Sequence, residues 1–301
     1  MTAGCPHSTA QHSTAQHRSD GELVRIALGQ IDSALGDVAA NVEQMRERVR
    51  QATFAGADLT VFPELAMHGY ALGYAGGDRS VRARDERLTA LSEPGSDVLV
   101  GFHEDGGLRT YNAAAYVSAG AVVHTHRKLY LPNYSVWEER KHASPGQSMR
   151  AFDTRFGRMA TLICNDAWQP VLSWLATQDG ADILLVPTNS AAAFGPETVD
   201  VVTYWDQLLS FTARMQQCWV VFVNRVGTEA GASFWGGSRV VAPTGEVIAQ
   251  APLWEPSLTL VDIDVSAVRR RRREGVALTG EARLGLIERE VHRLIGEGGD
   301  A

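Results

Sequence analysis

RMATLICNDAWQP, residues 158–170, runs apolar up to a cysteine and then turns polar at once. Residues 159–163 are five consecutive apolar or β-branched positions bounded by Gly157 and by Asn165 and Asp166, the pattern of a short buried strand. From Trp168 the apolar positions Trp168, Val171, Leu172 and Leu175 recur at helical spacing. The chain is therefore expected to turn sharply at Cys164 and to enter a helix near Gln169 or Pro170. A thiol at such a strand-to-helix elbow meets free backbone N–H groups, which lower its pKa and stabilise an oxyanion beside it. The competing reading is a small buried hydrophobe, the common fate of a lone cysteine in an apolar strand. Partners elsewhere in the chain decide between them.

Outward from this stretch, strands and helices alternate. Residues 24–30 read as a strand, 41–55 as a helix with Val42, Met45, Val49 and Ala52 on one face, and 59–64 as a strand again, a βαβ opening. Further strands are expected at 97–104, 110–118, 121–127, 182–188, 219–226, 238–243 and 258–264, with helices at 82–92, 169–178 and 199–217. So many strands, some wholly apolar and some in hairpin-like pairs, imply mixed sheets covered by helices. No linker divides them, so residues 22–268 read as one domain.

The ends differ from this body. Residues 1–21 carry the repeat HSTAQHSTAQH, with His7, His12 and His17 five apart among small polar residues. That spacing suits neither helix face, and the segment reads as a disordered arm. Residues 269–301 open on five arginines and continue as an amphipathic helix bearing Leu284, Leu286, Ile287, Val291, Leu294 and Ile295. The basic run reads as a solvated or subunit-bridging face, near acidic groups such as Glu281, Glu288 and Glu290. The apolar stripe suggests a homodimer or a higher even-numbered assembly.

Bulk properties narrow the classes. A chain of 301 residues, 45% hydrophobic, is large and apolar enough for a substantial core. A net charge of −7 provides no global field for nucleic acid or an anionic membrane. No apolar run approaches a bilayer span, and the N-terminus lacks a signal-peptide layout. Three cysteines, Cys5 of them in the polar arm, make no disulfide framework and suit a reducing cytoplasm. Cys218, beside Trp219 at a helix-to-strand junction, reads as a core thiol.

Four reactive groups stand at strand ends or in the loops just beyond: Glu64 in TVFPELAMHGY, Lys128 in THRKLYLPNY, Glu139 in VWEERKH, and Cys164. Strand C-terminal edges are where sites collect in mixed α/β folds. A thiol, two carboxylates and an ammonium supply a nucleophile, a base and a positive charge for a tetrahedral oxyanion. His68, His124, His126 and His142 raise the idea of a cysteine–histidine pair, but the base and the oxyanion partner are already supplied.

These motifs, in this order, resemble the nitrilase or carbon–nitrogen hydrolase superfamily over nearly the whole body. FPEL followed by GY, RKLYLPNY, a glutamate eleven residues after the lysine, ICNDAW, VPTNS, VNRVG, GGSRVVAPTGEV and a final VDID all look similar. The resemblance implies a four-layer αββα sandwich with Glu64 as base, Lys128 and the Asn165 backbone N–H at the oxyanion, Cys164 as nucleophile, and Glu139 orienting Lys128. It implies no metal and no organic cofactor. Glu138 competes with Glu139 for the last role; YSVWEER favours Glu139. Asn165 departs from the glutamate, tryptophan or tyrosine often found after the cysteine, which leaves the substrate open. Tyr70, Tyr134, Asn165, Trp168, Asn189 and Ser190 are expected to contact substrate, within a wall that includes Phe194, Tyr204 and Trp205. The function implied is cleavage of the C–N bond of a small non-peptide amide through a Cys164 thioester, releasing ammonia or an amine. The alternatives are a nitrilase, an N-carbamoyl amide hydrolase and a catalytically silent scaffold.

Overall fold

The computed structural model describes residues 23–133, 138–193, 200–274 and 282–298. One six-stranded sheet runs, in spatial order, β15 (Ser257–Asp264), β1 (Leu23–Gln30), β2 (Leu59–Val61), β3 (Asp97–Asp105), β4 (Thr110–Ser118) and β5 (Ala121–Arg127). The other runs β14 (Val247–Gln250), β13 (Arg239–Val241), β10 (Trp219–Asn224), β8 (Ile183–Thr188), β7 (Gly157–Thr161) and β6 (Phe152–Thr154). A smaller sheet joins β11 (Val226–Glu229), β12 (Ala232–Trp235) and β9 (Ala191–Ala193). Both large sheets hold the same pairing pattern. Parallel pairs β1–β2–β3 and β7–β8–β10 are flanked by antiparallel strands on either side.

Side-chain alternation on these strands sets the layers. Helix α1 (Val38–Phe54) packs Val42, Met45 and Val49, and α2 (Glu86–Thr89) packs Leu88, against Val98, Val100 and Phe102 of β3. Val24, Ile26 and Leu28 of β1 meet Ile183 and Leu185 of β8 between the sheets. The intervening Leu184 and Val186 face away, onto Leu172 and Ala176 of α3 (Pro170–Gln178) and Trp205 and Leu209 of α4 (Val201–Gln216). Three apolar clusters thus lie between four layers, the expected αββα sandwich.

Where elements depart from expectation, specific bonds explain it. The helix expected over 82–92 shrinks to α2, because Val81 bridges to Glu104 and the Asp85 side chain caps the helix by accepting from the Arg87 N–H. The strand expected over 219–226 divides at Arg225. Its guanidinium donates to Asp32, the Ser33 carbonyl and Glu229, drawing the chain out of line. The basic run belongs to α5 (Ser266–Glu274), which begins before residue 269 and buries Val268 against the inter-sheet cluster. Arg272 pairs with Asp182 at 2.8 Å and Arg270 with Asp264. These two arginines therefore find aspartates of the body rather than the acidic tail. Helix α6 (Leu284–Gly296) has no buried residue, so its apolar stripe is exposed. The arm with Cys5, His7, His12 and His17, and also Tyr134, Phe194 and Glu281, lie outside the described residues. Among the described residues no helix is long and apolar enough to cross a membrane.

One buried histidine gives the fold an acid limit. His68 is fully buried; its Nδ1 accepts from the His103 N–H at 3.1 Å and its Nε2 donates to the Arg79 carbonyl at 2.9 Å. Burial, opposed by the Arg79 bond and reinforced by His103, pulls its pKa from 6.5 to about 4. A histidine lowered in the folded state leaves the unfolded chain with more bound protons below pH 6.5, so stability falls as pH drops from there towards 4. From pH 7 to pH 5 this group alone is expected to cost about 2 kcal/mol. Urea unfolding at both pH values checks this, since His68→Asn should lose that increment and keep the rest.

Candidate active site

Glu64 reaches the site because its loop lies directly on β3. Phe62 N–H donates to the Leu99 carbonyl and Met67 N–H to the Gly101 carbonyl, and Leu65 adopts a left-handed φ of 48°. Gly101 permits this approach: a Cβ there would stand 2.4 Å from the Leu65 nitrogen and 2.5 Å from the Pro63 oxygen. Both are backbone atoms, so no rotamer relieves the clash. Gly101→Ala is expected to cost roughly 2–4 kcal/mol of stability and to displace Glu64; thermal melts and turnover read the two effects. Beyond Glu64, the buried Glu229 carboxylate accepts from the backbone N–H groups of Tyr70 and Ala71 at 2.8 and 2.6 Å and is held by Arg225 at 2.8 Å.

Lys128 follows β5, and its N–H donates to the Asn112 carbonyl across the β4–β5 pair. The side chain is fully buried. Its Nζ lies 2.6 Å from Glu64 Oε1 and 2.9 Å from both Glu139 oxygens. Glu138, the rival, pairs in solvent with Lys141 at 2.6 Å. Burial alone would lower the Lys128 pKa, but Glu139 and Glu64 more than offset it and hold it well above the ordinary lysine value. Glu139 is raised above the usual carboxylate range, chiefly by burial, with Lys128 opposing and Glu64 reinforcing.

Cys164 ends the apolar run at a left-handed φ of 46° and opens a short 3-10 turn to Trp168, after which Pro170 begins α3. A non-glycine residue at this φ is strained and needs support. Asp166, fully buried, supplies it. One carboxylate oxygen accepts from the Leu129 and Tyr130 N–H groups at 2.9 Å each; the other accepts from Ile163 N–H at 3.2 Å and His126 Nε2 at 3.0 Å. A single carboxylate thus ties the cysteine turn to the segment after Lys128. The Asn189 N–H donates to Glu64 Oε2 at 2.8 Å and draws the thiol pKa down slightly. The lowered thiol pKa expected at the elbow is not what the structure gives. Burial and then Glu64 raise it well above the ordinary cysteine value, and Lys128 only partly opposes them. The resting group is therefore a thiol and not a thiolate.

The expected substrate contacts separate. Asn189 is buried and both polar atoms of its carboxamide lack a partner among the described residues, as does the Trp168 indole nitrogen. Trp168 packs at a tilt of 31° on the exposed Tyr204, with ring centres 4.5 Å apart, and meets the buried Trp205 edge-on. Ser190 accepts from the Trp205 and Trp235 indoles at 3.0 and 3.1 Å, so its hydroxyl braces the wall. Asn165 donates to the Tyr130 carbonyl at 3.1 Å, and the Tyr70 ring lies edge-on to Phe234 at 6.4 Å. Sequence reasoning missed Asn112, Asp166 and the Arg225–Glu229 pair. Among the described residues no group of three or more His, Cys, Asp or Glu could hold a metal ion.

Fold and sequence now place the chain in a class. The profile of the carbon–nitrogen hydrolase family matches residues 25–273; the chain belongs to that family and is an enzyme of the nitrilase superfamily. Among its relatives, the glutamine-dependent NAD(+) synthetase of Thermotoga maritima is 33% identical over 263 residues, which are 83% of this chain and 45% of that protein. N-carbamoylputrescine amidase of Arabidopsis thaliana is 27% identical over 273 residues, 84% of this chain and 91% of its own length. An amidase structure from Nesterenkonia sp. superposes with a TM-score of 0.71 at 26% identity, covering 84% of this chain and 95% of that one. A mutant of that amidase carries the acetamide moiety of fluoroacetamide on its active-site cysteine. The chain spans about half the length of the NAD(+) synthetases it matches.

Proposed function

We propose that this chain hydrolyses the C–N bond of a small non-peptide amide through a thioester on Cys164. The observation carrying this reading is the buried Lys128 ammonium between Glu64 and Glu139, with the Asn189 N–H bonded to Glu64. Glu64 takes the thiol proton as sulfur attacks the carbonyl carbon, and the oxyanion forms beside Lys128. Collapse breaks the C–N bond, and Glu64 returns its proton to the departing ammonia or amine. Glu64 then deprotonates water, which attacks the thioester; the released sulfur regains a proton. The carboxamide of Asn189 and the indole N–H of Trp168 are the unpaired groups offered to the substrate, because buried polar atoms without partners are costly unless a ligand or water meets them.

A second reading, favoured by the identity to NAD(+) synthetases over about half their length, is glutamine hydrolysis with ammonia passed to a separate acceptor. Purified protein incubated with aliphatic amides, glutamine, N-carbamoyl amines and nitriles, with ammonia, carbon dioxide and acid measured, separates these readings from the nitrilase and carbamoyl alternatives. Turnover of none would leave the scaffold alternative. The exposed stripe of α6 supports a homodimer, which light scattering would reveal as twice the chain mass.

A further inference from the structure

Asn112 stands on β4 where β4–β5 pairing brings it beside Lys128. Its Nδ2 donates to Glu64 Oε1 at 2.7 Å and to Glu139 Oε1 at 2.7 Å. Lys128 Nζ reaches the same two oxygens at 2.6 and 2.9 Å. Two nitrogens thus bridge one pair of carboxylate oxygens in a closed, buried ring. Meanwhile Asn112 Oδ1 is buried with no partner among the described residues. An asparagine serving only to fill space would not strand its carbonyl oxygen, and turning the amide would set that oxygen against two carboxylates.

The ring divides the labour of the Glu64 oxygens. A carboxylate oxygen has about two acceptor sites. Those of Oε1 are taken by Lys128 and Asn112. Oε2 receives the Asn189 N–H and keeps one site open. We propose that Asn112 is a positioning residue that saturates Glu64 Oε1 and so leaves Oε2 as the atom that accepts the Cys164 proton. This deepens the amidase reading and rests on it. The titratable groups facing the ring are Lys128 from the end of β5, Cys164 from its turn, and the two glutamates themselves. His103, paired with Asn112 in the β3–β4 register, directs its Nε2 to the His142 carbonyl instead. Hydrogen bonds to an ionised carboxylate favour that form, as the Asn112 bond does for Glu139.

The test is the pH dependence of Cys164 alkylation by iodoacetamide, followed by mass spectrometry of its peptide without any substrate, in wild type, Asn112→Leu and Asn112→Ser. Leucine keeps the bulk and removes both donors; serine keeps one. The acid limb of the alkylation profile is expected to move up by roughly one pH unit in Asn112→Leu and by less in Asn112→Ser. The kcat/KM profile on the best amide should move with it. An unmoved limb in the leucine variant overturns the proposal, whatever happens to its melting temperature. If that variant does not fold, an unmoved limb in Asn112→Ser overturns it instead. Because alkylation needs no turnover, a wild-type protein inactive on every amide would sink the amidase reading while this measurement still judges Asn112.

Discussion

Cys164→Ala should abolish amide turnover, with a loss on the order of 10⁵-fold or more in kcat, and yet melt close to wild type. The thiol is half-buried and packs at the margin of two clusters, so its removal costs about 1 kcal/mol of packing. In the proposed mechanism it is the whole nucleophile, and removing one member of a cooperating set removes most of the set's effect. Initial rates and a thermal melt on the same preparation check both halves. Turnover within tenfold of wild type would remove Cys164 from the reaction.

Lys128→Met should come next, through two separable effects. Losing a preorganised donor at the oxyanion lowers kcat by roughly 10²–10³-fold. Losing the cation also leaves Glu64 and Glu139 buried together, at a cost on the order of 3–5 kcal/mol near neutral pH. The second effect has a sign. Glu139 already sits above the ordinary carboxylate range, and removing the ammonium beside it raises it further. The folded variant then binds more protons than the unfolded chain, so its stability deficit shrinks as pH falls from 7 towards 5. Urea unfolding at the two pH values, beside kinetics at pH 7, tests this. A deficit that grew on acidification would contradict the buried charge arrangement.

Much of the fold could be read from periodicity, because most strands carry uninterrupted apolar runs bounded by turn residues. Residues 110–118 and 121–127 read as strands and are β4 and β5, joined at Ala119 and Gly120, both at positive φ. The expectation for 82–92 failed because tertiary pairing of Val81 with β3 overrode a weak helical pattern. The thiol pKa departs from the local expectation for a related reason. Local logic sees only the elbow, whereas Glu64 arrives from 100 residues upstream and decides the sign. Asn112 was hidden inside a strand, although one signal was available: it shares a face with Ala114 and Tyr116, both in the inter-sheet core, and a lone amide on that face needs a partner. Asp166, between Cys164 and Trp168, carried no periodic signal; only the fold shows that its bonds reach Leu129 and Tyr130.

The covalent intermediate can be weighed. Wild-type protein mixed with a turned-over amide, quenched in acid during steady state and digested, should yield the Cys164 peptide heavier by the substrate's acyl group, with the increment removed by hydroxylamine. A Cys164 peptide that stays unmodified while turnover proceeds, with the acyl group absent or carried by another residue, would contradict the account.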